Sequence, residues 1–211
     1  RTAKRGLVGN IYKGKGVRVL PGMQAAFVEI GLSRTAFLHI SDLVWPRRES
    51  SRESVEPPAI YDVLHEGQSL TVQVMKDMMG SKGARLTTDL SIPSRYLVYM
   101  PYGEHIGVSQ RIESDEERDR LKQLIRQLRD ELAATLKGGV IVRTAAEGVS
   151  EAELRQDMCF LIKLWQHISD RKQREMAPCL IYEELPLFQR IIRDLMTPDI
   201  SKVLIDSRET H

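Results

Sequence analysis

Apolar and polar residues alternate over positions 17–20, 25–30, 35–38, 70–76 and 84–87, a period-2 pattern that predicts five short β-strands. Pro21-Gly22 separates the first two, a turn signal that makes them a hairpin. Beyond residue 88 the period changes. After an apolar strand at 96–100, a helix is predicted from about Ser114, an N-cap candidate with Glu117 three residues on, and its apolar face is Leu121, Leu124, Ile125, Leu128 and Leu132. Gly138-Gly139 marks its end, and 140–142 is a short buried strand. A second helix starts at Ser150, with Leu154, Met158, Leu161, Ile162, Leu164, Trp165 and Ile168 facing inward. From about Ala177 the pattern reads strand (179–182), helix (187–196) and strand (202–205). The fold class is therefore α+β, with an OB-type barrel first.

Three stretches follow: 1–88, interrupted by an inserted loop at 44–62; 89–176; and 177–211. Residues 46–58 are polar and charged (Arg47, Arg48, Glu49, Arg52, Glu53, Glu56) without an apolar period, as in a solvated, mobile loop. The last stretch is a strand–helix–strand piece, too small to be stable without partners.

Composition narrows the function classes. A chain of 211 residues, 42% hydrophobic and 28% charged, can bury a real core. Its formal net charge of +2 is too small to mark a polyanion binder, so any nucleic-acid argument rests on where the 31 basic residues cluster. No apolar run reaches the roughly 20 residues needed to span a bilayer, so no membrane partner is expected. The start Arg1-Thr2-Ala3-Lys4-Arg5 has neither an apolar signal core nor an initiator Met, as expected of a chain that begins inside a longer protein. Cys159 and Cys179 lack metal-ligand spacing and read as reduced, buried thiols, in keeping with a cytoplasmic setting.

Basic and aromatic residues interleave along residues 9–31, as a nucleic-acid platform requires. Phe27 and Phe37 fall on neighbouring predicted strands and suit either an inward core position or an outward stacking one. Lys82 lies in Gly80-Ser81-Lys82-Gly83, a turn beside Lys76 and Arg85 where a cation can follow a phosphate backbone or simply be solvated. Arg143-Thr144 ends the buried strand at 140–142. Its guanidinium fork and hydroxyl suit a phosphate, while the alternative is a surface ion pair with an acid such as Glu147.

Several blocks carry a family resemblance: residues 9–31, Thr35-Ala36-Phe37-Leu38-His39, Lys82-Gly83-Ala84-Arg85-Leu86-Thr87-Thr88, Pro93-Ser94-Arg95-Tyr96-Leu97-Val98, Gly107-Val108-Ser109-Gln110-Arg111-Ile112-Glu113 and Ile141-Val142-Arg143-Thr144-Ala145-Ala146. Together and in this order they resemble the ribonuclease E/G endoribonucleases, on the G side of the family. The resemblance implies an S1-type RNA-binding domain (1–88), a 5′-sensor region (89–176) and a partial RNase H-like subdomain (177–211). It implies RNA contacts at Phe27, Phe37, Lys76, Lys82 and Arg85, and a 5′-phosphate site at Val98, Arg111, Arg143 and Thr144. Gln110 stands where several ribonuclease E sequences carry a second arginine, so it receives no charge-pairing role.

By the same resemblance the partner is single-stranded RNA with a 5′-monophosphate, and the parent is a homo-oligomeric endoribonuclease of rRNA maturation and mRNA decay. The family's Mg2+-binding catalytic aspartates and its structural Zn2+ link are implied to lie beyond His211. This stretch is then expected to bind RNA without cleaving it, and Asp199 and Asp206 are assigned no catalytic part. Two other readings stay open: a non-enzymatic S1-type RNA-binding module, and a role for these residues in packing alone.

Overall fold

Pro21–Met23 forms one turn of 3-10 helix, because proline's fixed φ and missing N–H suit a helix's first positions. Gln24 closes it in the left-handed region at φ 47°. Its side chain secures that conformation: Nε2 donates to Pro21 O (2.8 Å) and Oε1 accepts from Ile60 N (3.0 Å). The turn joins β1 (Ile11–Leu20) to β2 (Ala25–Glu29), and β3 (Ala36–His39), β4 (Ser69–Lys76) and β5 (Arg85–Thr87) complete the five strands. They run in the order β1-β2-β3-β5-β4, and β4 pairs back onto β1, which closes an OB-like barrel. All contacts are antiparallel except β3 with β5. Val28, Leu38, Val72, Val74 and Leu86 fill the interior, joined by Ile60 and Leu64 around the short helix α1 (Ile60–Val63).

The computed structural model describes residues 6–44, 58–132, 137–196 and 200–204. Arg1–Arg5, most of the charged loop at 46–58, Asp199 and Asp206 lie outside them.

A second sheet is built from β6 (Ile92–Pro93), β7 (Leu97–Met100), β8 (Ile106–Val108) and β9 (Gly139–Val142), in the order β6-β7-β9-β8 with β8 and β9 parallel. Two helices pack on it, α2 (Asp115–Glu131) and α3 (Glu151–Arg174). Both start where the caps are predicted. Ser114 Oγ accepts from Glu117 N, and Ser150 with Glu153 forms a reciprocal capping box. Leu121, Ile125 and Leu128 of α2 and Leu154, Met158, Leu161, Ile162 and Ile168 of α3 are buried, as their spacing predicts. Leu164 and Trp165 pack only partly. The helix α2 ends at Glu131 with Leu132 as its C-cap, six residues before Gly138.

The strand β10 (Cys179–Tyr182) is not part of an isolated piece. It pairs antiparallel with the start of β1 (Ile11 with Tyr182, Lys13 with Cys179) and extends the barrel's sheet to six strands. Gly9 permits this junction: at φ +92°, a Cβ there would lie 2.8 Å from Glu184 Cγ, and Asn10 Oδ1 accepts from Glu184 N at 2.9 Å. After β10 comes α4 (Leu187–Leu195). The strand expected at 202–205 is absent over 202–204, where Val203 and Leu204 are exposed and no sheet edge meets them. Cys159 and Cys179 are free thiols but only half-buried, because each sits at the margin of its element's apolar face.

Candidate nucleic-acid interface

The strand registers bring five side chains into one row across the barrel. Arg18 of β1 pairs with Phe27 of β2, Phe27 with Phe37 of β3, Phe37 with Arg85 of β5, and Arg85 with Lys76 of β4. Two aromatic residues thus stand in the middle with cations on both sides. Ala26, Val28, Ala36 and Leu38 are buried while Phe27 and Phe37 are half-exposed, so the phenylalanines lie outside the core. Their rings meet edge to face, with centroids 6.2 Å apart, and His39 stacks on Phe37 at 6.5 Å.

Lys82 faces this row from a turn closed by reciprocal backbone bonds between Met79 and Lys82 (3.2 and 2.9 Å). Two contacts fix that turn to the β2–β3 loop. Arg34 Nη1 donates to Gly80 O, and Gly83 approaches Thr35 so closely that a Cβ would fall 1.9 Å from the Thr35 carbonyl oxygen. Phe27, Phe37, Lys76, Lys82 and Arg85 all line one groove of about 820 Å³, with Met23, Arg34 and Met79 on its walls. The groove gathers all five residues that the sequence singled out.

Arg85 is not a free cation: its Nε donates to Asp42 Oδ2 at 2.9 Å, and this hydrogen bond to the carboxylate raises its pKa. Two residues of the basic and aromatic stretch 9–31 are engaged elsewhere. Lys13 Nζ donates to Lys172 O and Glu175 O (2.9 and 2.7 Å), so it satisfies the C-terminal carbonyls of α3. Tyr12 is buried in the barrel core.

The second set of residues gathers at one end of the second sheet. Val98 and Gly107 flank Ile141 on the adjacent strands, and period-2 alternation puts Arg143 on the same face. Ser109 Oγ lies 2.9 Å from Thr144 Oγ1 and accepts from Arg111 N at 3.3 Å. The Arg111 side chain has no ion pair or hydrogen bond among the described residues. The guanidinium of Arg143 is already engaged. Its Nη1 reaches Ser94 O (2.6 Å), Arg95 O (3.0 Å) and Asp194 Oδ1 (2.9 Å), and its Nη2 reaches Asp194 Oδ2 (2.9 Å). Its acid partner is therefore Asp194 of α4, not Glu147. The Arg143 and Arg193 guanidinium groups hold the Asp194 carboxyl well below the usual range, the Arg143 hydrogen bond foremost.

Sequence reasoning missed the acid beneath this site. Asp157 on α3 accepts from Ser94 Oγ (2.6 Å), Tyr96 N (2.9 Å), Leu97 N (3.1 Å) and Arg95 N (3.3 Å). One carboxylate thus fixes the turn whose carbonyls hold Arg143. Its only sequence signal is an acid on the otherwise inward face of a helix. Glu117 plays a matching part on the other side: it accepts from Arg120 Nε and Nη2 (2.6 and 2.7 Å) and from Gly148 N (2.9 Å), which ties α2 to the loop after Thr144.

The described residues offer no fit for a metal. They contain no cluster of three or more His, Cys, Asp or Glu arranged to hold one, and Asp42, Asp157 and Asp194 are committed to arginines or amides. No described helix is long and apolar enough to cross a membrane.

A closed OB-like barrel with outward aromatics and a basic groove has the architecture of an S1-type domain, and residues 7–88 match the S1 RNA binding domain. Residues 91–211 match the Ribonuclease E/G family, and the chain belongs to that family. It is 50% identical over 215 aligned residues to Ribonuclease G of Escherichia coli (strain K12), covering all of this chain and 43% of that protein. It is 52% identical to Ribonuclease G of Haemophilus influenzae (99% of this chain, 42% of that protein). With Ribonuclease E of Escherichia coli (strain K12) it shares 40% identity over 94% of this chain and 18% of that protein. The chain thus spans about two-fifths of the length of the Ribonuclease G relatives.

Proposed function

We propose that this chain is the RNA-binding and 5′-end-sensing portion of a ribonuclease G-like endoribonuclease. In this reading the barrel groove holds single-stranded RNA: bases stack on Phe27 and Phe37, Lys76 and Lys82 follow the phosphates, and Arg85 adds positive potential from its Asp42 pair. The row of cations around a half-exposed aromatic pair, in one groove, is the observation that carries the proposal. Arg143 and Thr144, with Val98 and Arg111 around them, receive the terminal 5′-monophosphate. Sensing and holding are thereby separate, and a strand is gripped at two points.

The Mg2+-dependent cleavage and the Zn2+ link that the family resemblance implies are assigned to no residue of this chain, and homo-oligomeric assembly belongs to the whole enzyme. The proposed contribution of these residues is binding and orientation of the strand.

The test measures the affinity of the 211-residue chain for one oligoribonucleotide bearing either a 5′-monophosphate or a 5′-hydroxyl. Arg143→Ala is expected to weaken the phosphorylated RNA about thirtyfold, the loss of a charge-assisted bidentate contact. The 5′-hydroxyl RNA is expected to change little. Equal loss for both removes the sensor assignment and leaves the barrel as the whole binding site.

A further inference from the structure

We infer that Asp194 is the positioning residue of the 5′-phosphate site, holding the Arg143 guanidinium by its end so that the Nε–Nη2 edge is presented to the phosphate. The inference rests on the sensor reading above and asks how an arginine already bound to a carboxylate can receive another anion.

A guanidinium has five N–H donors arranged on three sides. Asp194 takes the end, bridging Nη1 and Nη2 with two bonds of 2.9 Å. The carbonyls of Ser94 and Arg95 take the remaining Nη1 hydrogen. What remains is Nε–H and the second Nη2 hydrogen, and neither has a partner among the described residues. These two point the same way and form the side-on edge that pairs with two oxygens of a phosphate. A carboxylate on the end and a phosphate on the side are thus compatible on one arginine.

Asp194 is itself held. Arg193 Nε donates to its Oδ1 at 2.8 Å, while Arg193 Nη1 donates to Pro93 O at 3.3 Å, so helix α4 is fastened to the end of β6. Arg95 Nη2 adds a bond to Met196 O. The groups charged around Arg143 are therefore Asp194 and Arg193 from α4, Asp157 from α3, and Arg95 from its own turn. An arginine on a long flexible stem loses rotamer freedom when it binds; here that freedom is removed in advance by four acceptor contacts.

The test uses Asp194→Asn and Asp194→Glu in the full chain, with the same pair of oligoribonucleotides. Asp194→Asn keeps the shape but gives up the charge and one acceptor, and it is expected to weaken the 5′-monophosphate RNA about tenfold with at most a twofold change for 5′-hydroxyl RNA. Asp194→Glu restores both acceptors and is expected to recover most of the loss. Binding of the 5′-hydroxyl RNA reports that each variant is folded. Unchanged or tighter binding of phosphorylated RNA by Asp194→Asn overturns the inference, since Asp194 is then a bystander or a competitor. If Arg143→Ala also leaves the ratio of the two affinities unchanged, the sensor reading itself falls. If Arg143→Ala abolishes the ratio and Asp194→Asn does not, only the positioning role is lost.

Discussion

Lys76 and Lys82 stand exposed at the rim of the barrel groove without an ion pair among the described residues, whereas Arg143 at the end of the second sheet is bonded to two carbonyls and a carboxylate. The same contrast runs through the supporting structure. The groove owes its shape to strand register and one pinned turn, while the sheet end is braced by Asp157 from α3, Glu117 from α2 and Asp194 from α4. Exposed cations and aromatic faces accept many strand conformations and any base. A guanidinium fixed on two sides accepts a ligand only from the third. Under the proposed function this difference would separate affinity from end selection, and it predicts that variants of the two regions change different quantities.

Barrel variants are expected to affect both RNAs alike. Phe37→Ala removes the ring that bridges Phe27 and His39, and base stacking on such a ring is worth about 1–3 kcal/mol, so affinity is expected to fall about tenfold or more. The ratio between 5′-monophosphate and 5′-hydroxyl RNA stays as in the unmodified chain; a changed ratio would mean that the two regions do not act separately. A smaller effect is expected of Lys82→Ala, a few-fold weakening of both RNAs. Its signature is the salt dependence, with the slope of log affinity against log salt reduced by about 0.7 for one single-strand phosphate contact. An unchanged slope would take Lys82 off the path of the strand.

The two regions were also unequally legible from the sequence. Period-2 alternation located β2 to β5, where one face of each is buried and register must follow it, but it caught only the exposed end of β1 at 17–20 and missed the buried half that begins at Ile11. It left Phe27 and Phe37 open between core and surface, since only the pairing of Phe27 with Phe37 and the burial of Ala26 and Val28 beside it decide which way the rings turn. Arg18 was missed because its place in the row depends on a register shift between Gly16 and Arg18. The sheet end was harder still. Ser114 and Ser150 announce their helices through local capping, but Asp157 reaches residues more than sixty positions earlier and Asp194 reaches Arg143 across fifty-one. Nothing local marks an acid as the partner of a distant turn. Lys13 misled for the opposite reason: a lysine in a basic hairpin looks like a nucleic-acid contact until α3 is seen to end on it.

The smallest expected effect concerns the bracing itself, and it appears in stability against pH. Glu117 is held at a pKa of about 2, below its ordinary 4.5, first by the hydrogen bonds from Arg120 and then by the amide of Gly148. A depressed carboxylate contributes stability that is fully present above the unfolded-state value and is lost as pH falls through the folded-state value. Its window here runs from 4.5 down to about 2. Because the Arg120 side chain is 40% exposed, solvent screening reduces the contribution to about 1 kcal/mol. Chemical denaturation of Glu117→Gln at neutral pH is therefore expected to show a loss of about 1 kcal/mol, with the gap to the unmodified chain closing as the pH drops through that window. If sensor and barrel are braced separately, the same substitution moves the Thr144 loop and lowers the preference for 5′-monophosphate RNA, while affinity for 5′-hydroxyl RNA holds. A parallel loss of both affinities would show instead that α2 supports the whole chain, and the contrast between the two regions would not extend to their frameworks.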